Sequence, residues 1–337
     1  MECIGVILAG GKGSRMHRKG NKVLELVCGK PIICYLVEKL KNIGIERIIV
    51  VVGYKAEEVK AVLGNSVEYA TQLEQLGTGD AFLQAYKLFT DYQGNVLLLN
   101  GDGPIIDNYL LKEMTNLNDC QVKILSGDFD CSCSFGRIIR DEFNNVFKIV
   151  EMRDCTKNQL KITEMNLGVY CFKNAILSNL LAKMSRNNAQ NEYYVTDLID
   201  LAVKKNYIVN AYKINKNDVC IKGANTLIEL AEMEKSMQVY INKSLCEKGV
   251  RVIDINNTYI DANSKIDSNC TIEPNVHIKN SVIGENCYIC ANCYIENSFV
   301  RPNIKINANS VIDGVNVKEN VNPATYLSKI YEKKKNS

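Results

Sequence analysis

The chain has 337 residues, 46% of them apolar and 23% charged, and its 41 Lys+Arg against 38 Asp+Glu leave a formal charge of +3. That length accommodates two domains with cores of their own, and so balanced a charge argues against nucleic acid as a partner. No window reaches the ~20 continuous apolar residues of a membrane span and Met1 to Leu8 is too short for a signal peptide, so the 14 cysteines are expected to stay reduced in the cytoplasm.

Ile4 to Leu8 reads as a buried strand that runs into Leu8-Ala9-Gly10-Gly11-Lys12-Gly13-Ser14-Arg15-Met16. Three glycines in four positions let the backbone fold its N–H groups around a polyanion. Arg15 and Lys22 add a planar fork and a point charge suited to a triphosphate. The stretch is not a P-loop, because no Gly-Lys-Ser/Thr closes it. It also lacks the third glycine of the dinucleotide fingerprint. Taken by itself it reads equally as an ordinary strand-to-helix turn.

Pro31 opens a helix whose Ile32, Ile33, Leu36, Val37 and Leu40 sit at helical spacing, and Gly44 ends it. Arg47 to Val52 is a near-continuous apolar strand, Lys55 to Leu63 a short helix, and Val67 to Ala70 another strand. A polar turn from Gln72 to Asp80 leads into a helix over Ala81 to Phe89. Val96 to Leu99 is the next strand and ends in Asn100-Gly101-Asp102-Gly103-Pro104. This alternation predicts a mostly parallel, doubly wound α/β sheet, with ligands beyond the carboxyl ends of its strands. The glycine loop, the Gln72–Gly79 turn and Asp102 all fall at such ends and are expected to meet at one rim. A strand-end carboxylate suits Mg2+ beside substrate phosphates, although Asp102 taken alone reads as a turn aspartate bonded to its own backbone.

Further strands are expected over Phe135–Arg140, Ile149–Glu151 and Glu164–Tyr170, then a polar loop over Asn188–Asp197. Gly223-Ala224-Asn225 precedes a long helix from Thr226 to about Glu247. After it the chain changes character. Ile260, Ile266, Ile272 and Ile278 recur every six residues, resume as Ile283, Ile289 and Ile295 after one dropped residue, and continue as Val300, Ile306 and Ile312. Asparagine follows three places behind the aliphatic at 263, 269, 275, 286, 292, 303 and 309. This is a hexapeptide repeat, hence a parallel β-helix, with aliphatics inward and asparagines in the left-handed backbone of its corners. Cys270, Cys287 and Cys293 take the second inward position and read as packing residues. The spacing of Cys287, Cys290 and Cys293, and more faintly of Cys131-Ser132-Cys133, resembles a metal site, but no fourth ligand accompanies it. The basic run Lys333 to Lys335 reads as a frayed end.

Together these motifs resemble the bacterial N-acetylglucosamine-1-phosphate uridylyltransferases from about Ile4 to about Ile312. The glycine loop, Gln72 with Gln75-Leu76-Gly77-Thr78-Gly79, Gly101-Asp102, Gly136-Arg137-Ile138, Ile149-Val150-Glu151, Asn166 with Gly168, Asn188 to Asp197 and Gly223-Ala224-Asn225 occur in that family's order. The resemblance implies a Rossmann-like nucleotidyltransferase domain over 1–225, a linker helix over 226–250, a left-handed β-helix over 251–322 and a tail over 323–337.

It implies that Leu8, Ala9, Gly10, Gly11, Gly13 and Arg15 wrap the phosphates of UTP while Lys22 contacts the reacting ones. Gln72 and Gly77 would read uracil with Thr78 nearby, and Asn100 and Gly101 would lie along the nucleotide. Asp102 and Asn225 would hold Mg2+, and Gly136, Glu151 and Asn166 would bind the amino sugar. In the implied reaction a sugar 1-phosphate oxygen attacks the α-phosphorus of UTP and expels pyrophosphate, with Arg15, Lys22 and Asp102 as the catalytic groups. A relative using another sugar phosphate or base, and an inactive nucleotide-sugar-binding subunit, are the alternatives. Asn21 stands where the family commonly has proline, which predicts a looser Lys22. The β-helix is expected to run for roughly three coils, short of the histidine-bearing acetyltransfer segment, with His277 an exposed strand residue. A chain without acetyltransfer, forming a homo-oligomer, a trimer, through the flat faces of the β-helix, is therefore expected.

Overall fold

A computed structural model describes residues 2–16, 20–103, 105–131, 133–215, 218 and 220–328. Pro104, Ser132 and the run Lys333 to Lys335 lie outside the described residues. The chain forms two compact units, one holding the residues up to Glu25 together with Ile32–Leu227, the other Leu26–Pro31 together with the described residues from Ile228 on.

In the first unit, strands β1 (Cys3–Ala9), β2 (Ile48–Val52), β3 (Glu68–Thr71) and β4 (Asn95–Asn100) lie in the order β4-β1-β2-β3, all parallel. Helices α1 (Ile32–Asn42), α2 (Ala56–Leu63) and α3 (Thr78–Tyr86) connect them. All five residues of β2 are buried, as an interior parallel strand requires. The apolar stripe of α1 lies so close to β1 that a Cβ on Gly5 would stand 2.7 Å from Leu40 Cδ1. Helix α3 begins at Thr78, ahead of the apolar run that marks it in the sequence. Gly77 supplies the turn with a φ of 109°, and Thr78 Oγ1 accepts from the Val195 amide at 3.0 Å.

Beyond α4 (Asn108–Thr115) come β5 (Val122–Asp128), β6 (Arg137–Arg140), β7 (Val146–Val150) and β8 (Glu164–Lys173), then α5 (Asn174–Leu181), α6 (Asp197–Lys204) and β9 (Val209–Lys213). Strand β8 runs antiparallel to β4, β5 and β6, β7 antiparallel to β6, and β9 parallel to β5. The nine-stranded sheet is therefore mixed rather than mostly parallel. The physical reason is the chain between β5 and β8. Its described residues contain no α-helix to carry a parallel crossover, and antiparallel neighbours need only a short turn.

The second unit opens with a small hairpin, Leu26–Val27 against Lys30–Pro31, turned by Cys28 (φ 47°) and Gly29 (φ 77°). Glu234, on helix α7 (Leu227–Glu247), accepts from the Cys28 amide at 2.8 Å, and Cys28 O accepts from the Ala262 amide at 2.9 Å. Three parallel sheets of four, five and four strands follow, the first extended by a bridge from Ile306 to Val321. That is four complete coils and part of a fifth, more than the run of isoleucines suggests, because Val252, Val317 and Val321 also fill inward positions. Through the middle coils equivalent residues lie 17 apart, so the dropped residue of the repeat is one side of those coils built from five residues. Arg251 instead pairs with Thr271 and Val311 with Tyr326, at spacings of 20 and 15.

Asn269, Asn275, Asn286, Asn292, Asn303 and Asn309 hold φ between 58° and 62° at the corners. Asn263 does not; its amide donates to Gly29 O of the hairpin at 3.2 Å. Asn280 and Asn297, with φ of 44° and 48°, serve the shorter sides. Side-chain ladders link Asn275 to Asn292 and Asn292 to Asn309 at 3.3 and 3.1 Å. Cys270, Cys287 and Cys293 are buried among the isoleucines, and their thiols donate to the carbonyls of Gly284, Arg301 and Asn307. No group of three or more metal-ligating His, Cys, Asp or Glu side chains gathers among the described residues.

The corner geometry sets an order of stabilities. Asn292→Ala is expected to cost about 1–2 kcal/mol for the left-handed backbone in addition to its ladder bonds, whereas Asn292→Gly loses the ladder alone. Urea denaturation of the two variants should place Ala below Gly, and the reverse order would contradict the corner assignment.

Candidate active site

A cleft of about 570 Å³ opens in the first unit where the glycine loop leaves β1, the Gln72 turn leaves β3 and Asp102 follows β4. Every site residue named from the sequence lines it except Gly101. Gly101 instead gives its amide to Leu8 O at 2.8 Å, and a Cβ there would stand 2.7 Å from that oxygen. Its part is to let β4 pass close to β1.

The loop after β1 is held by its carbonyls. Gly10 O accepts from the Tyr54 amide at 3.1 Å and Gly13 O from the Met16 amide at 3.0 Å. The N–H groups of Gly10, Gly11, Lys12 and Gly13 find no acceptor among the described residues. Four free donors on one cleft-lining turn make an anion-binding nest. Gly13, with a φ of 60°, leaves no room for a side chain, because a Cβ would stand 2.7 Å from Lys22 Cβ.

Lys22 is 7% exposed. Its ammonium donates to Asp102 Oδ2 and, at 2.7 Å, to Asn225 Oδ1, which also accepts from Arg15 Nη2 at 2.6 Å. Asn21 does not leave this lysine loose. Its amide donates to Tyr54 O at 2.8 Å and its carbonyl accepts from the Val23 amide at 3.2 Å, fixing the short turn on which Lys22 sits. Asp102 and Asn225 therefore present oxygens to one common cation, here the lysine's own. Hard oxygen donors converging on one positive charge fit a magnesium-type ion.

At the other end of the cleft, Glu151 Oε1 accepts from the Thr196 hydroxyl at 3.1 Å, and burial raises the Glu151 carboxyl above its usual range. Asn166 accepts from the Gly168 amide at 3.1 Å and donates to the Tyr170 hydroxyl at 2.7 Å. Gly136 lies beside them, with space for a Cβ only 3.0 Å from Ile149 Cγ2. Asn100 fits over Gly168, where a Cβ would stand 2.5 Å from its Nδ2. Thr196, Tyr194 and Lys222 also line the cleft without having been assigned from the sequence. The Tyr194 hydroxyl is buried with no partner among the described residues, and Lys222 stands 4.6 Å from the ring centre of Phe129. Their only signal in the sequence is position in polar loops.

The Nucleotidyl transferase family model matches residues 4–224, and the bacterial transferase hexapeptide model (six repeats) matches 263–297. The chain is 40% identical over 277 residues to the Bifunctional protein GlmU of Geobacillus sp. (strain WCH70), covering 81% of this chain and 60% of that protein. Its counterpart from Thermoanaerobacter pseudethanolicus is 41% identical over 272 residues, with 80% and 59% covered. The chain thus spans about 60% of the length of the curated relatives it matches. A Bacillus anthracis chain solved under the name glucose-1-phosphate thymidylyltransferase, in complex with sucrose, superposes with a TM-score of 0.57 at 23% identity, covering 69% of this chain and 94% of its own, a likeness of fold.

Beside Glu151, Asp197 opens α6 with its carboxyl raised from 3.8 to about 6, by burial first and then by Asp200 and Asp154. A carboxyl raised on folding keeps its proton longer in the native state, so it favours the fold below about pH 4 and opposes it increasingly as pH rises through about 6. Asp197→Asn removes this dependence. Urea midpoints from pH 4 to 7 should show the variant gaining on the parent protein as pH rises, and parallel profiles would contradict the shift.

Proposed function

We propose, from the premise that this chain belongs to the Nucleotidyl transferase family, that its cleft transfers UMP from UTP to N-acetylglucosamine 1-phosphate and releases pyrophosphate. The observation that carries the proposal is the junction of the free N–H groups of the glycine loop with the Arg15–Asn225–Lys22–Asp102 cluster in one cleft. Four backbone donors and two fixed cations suit a polyphosphate. The polar far end, with Glu151, Asn166 and Thr196, suits the hydroxyl and amide groups of an amino sugar.

The nucleophile is a phosphate oxygen, already anionic near neutral pH, so no side chain has to take a proton. The residues align and neutralise. Gly10 to Gly13 hold the triphosphate by its oxygens, Arg15 and Lys22 offset charge on the α-phosphate and the leaving pyrophosphate, and Glu151 with Asn166 orients the sugar for in-line attack. Asp102 and Asn225 would hold Mg2+, which supplies further charge neutralisation when bound.

In the second unit, His277 stacks on Tyr259 at a ring separation of 4.5 Å and lies 6.2 Å from Tyr294. We read it as part of an aromatic column and not as an acetyltransfer base. Tyr259 and Tyr326 on the same sheet are 40% and 55% exposed, which supports a homotrimer formed through that face. None of the 14 cysteines is in a disulfide, which supports a cytoplasmic protein, and no helix among the described residues is long and apolar enough to cross a membrane.

Pyrophosphate release from a panel of nucleoside triphosphates and sugar 1-phosphates tests the reading. UTP with N-acetylglucosamine 1-phosphate is expected to give the highest kcat/KM, and another pair in first place would replace it. Lys22→Ala and Asp102→Ala should each lower kcat by at least about 100-fold with an unchanged circular dichroism spectrum. Near-normal pyrophosphate release from either would remove the residue from the mechanism.

A further inference from the structure

Asp80 lies in the first turn of α3, 8% exposed, outside the residues assigned above. Its Oδ2 accepts from Gln72 Nε2 at 2.8 Å and its Oδ1 from Gln84 Nε2 at 2.9 Å. Gln72 Nε2 also donates to Gly77 O at 3.0 Å. Both hydrogens of the Gln72 amide are thereby used, each on a group that only accepts. Turning the amide end for end would set Oε1 against two acceptors, so chemistry fixes which way it faces. Oε1 lies against the glycine loop, 2.8 Å from where a Cβ on Gly10 would be. No donor among the described residues reaches it, and the Gly77 N–H likewise has no acceptor among them. Both residues line the cleft.

We infer that Asp80 is a specificity-determining positioning residue. By pinning the Gln72 amide it makes the base pocket present an acceptor, Gln72 Oε1, to the N3–H of uracil, and a donor, the Gly77 N–H, to a uracil carbonyl. Cytosine carries no hydrogen on N3 and would set a lone pair against Oε1. The inference rests on the reading of Gln72 and Gly77 as the contacts to the base, and it adds what decides their polarity. The buried carboxylate touches no substrate in this scheme. It acts through Gln72, much as the partner of a ligating group sets which atom that group offers.

Asp80→Asn is the test, because an asparagine can donate as well as accept and so leaves Gly77 O as the single one of these two acceptors that still opposes a turn of the Gln72 amide. Pyrophosphate release is measured with UTP and with CTP, and binding of each nucleotide by calorimetry. The ratio of kcat/KM for UTP over CTP is expected to fall by about 10–100-fold, the worth of one well-placed pair of base contacts, with the change carried by KM. A merely structural role would weaken both nucleotides alike and leave the ratio unchanged, which would overturn the inference. If the variant lacks turnover, the ratio of the two Kd values decides in the same way. A parent protein that uses CTP as well as UTP would instead remove the uridylyl reading itself, and that result appears before any residue is changed.

Discussion

One ammonium group joins three of the chain segments that line the cleft. Lys22 reaches Asp102 across 80 residues and Asn225 across 203, and Arg15 shares the same amide oxygen. A charge so nearly buried is tolerable only where it is paired, and stripping one partner from such a cluster leaves the rest uncompensated. The rim is therefore joined by polar bonds and not by apolar packing. Of the groups that satisfy one another here, Lys22 and Arg15 are those a phosphate would engage and Asp102 and Asn225 those a metal ion would, so a ligand would meet a cluster already assembled.

The parallel strands saturate one another, the tight approach at Gly101 uses its amide on Leu8, and even the buried thiols of the β-helix find carbonyls. At the end of β1, by contrast, four neighbouring amides have no acceptor among the described residues. Native structures leave such groups open where a ligand completes them. The carboxyl ends of parallel strands are where the backbone can be released in this way without weakening the sheet.

What could be read from the sequence follows from what is local. The hexapeptide phase, the helix over Ile32–Asn42 and the glycine turn each rest on spacing within a few residues, and all are present. The direction of β8 was not legible, since an apolar run reads the same parallel or antiparallel and only the absence of a crossover helix decides. The hairpin at Leu26–Pro31 was missed because its partners, Glu234 and Ala262, are more than two hundred residues away. Asn263 kept the repeat's phase but not its conformation, having a different partner in Gly29. For the site, residue types at strand ends marked the phosphate side. Tyr194, Thr196 and Asp80 carry no such mark, because their contribution depends on which neighbour they face.

The five-residue side sets the circumference of the middle coils of the β-helix but not their number. In those coils each strand pairs with its equivalent 17 residues on, as Thr271 does with Tyr288. Arg251 pairs with Thr271 20 residues on and Val311 with Tyr326 15 residues on, so the corners absorb residues gained or lost while the inward phase is kept. A whole coil can be duplicated or deleted with each asparagine ladder intact. Descent can therefore lengthen or shorten the middle of this column by whole coils, each adding about 4.8 Å, with its lining kept, while the coils at its ends vary in length.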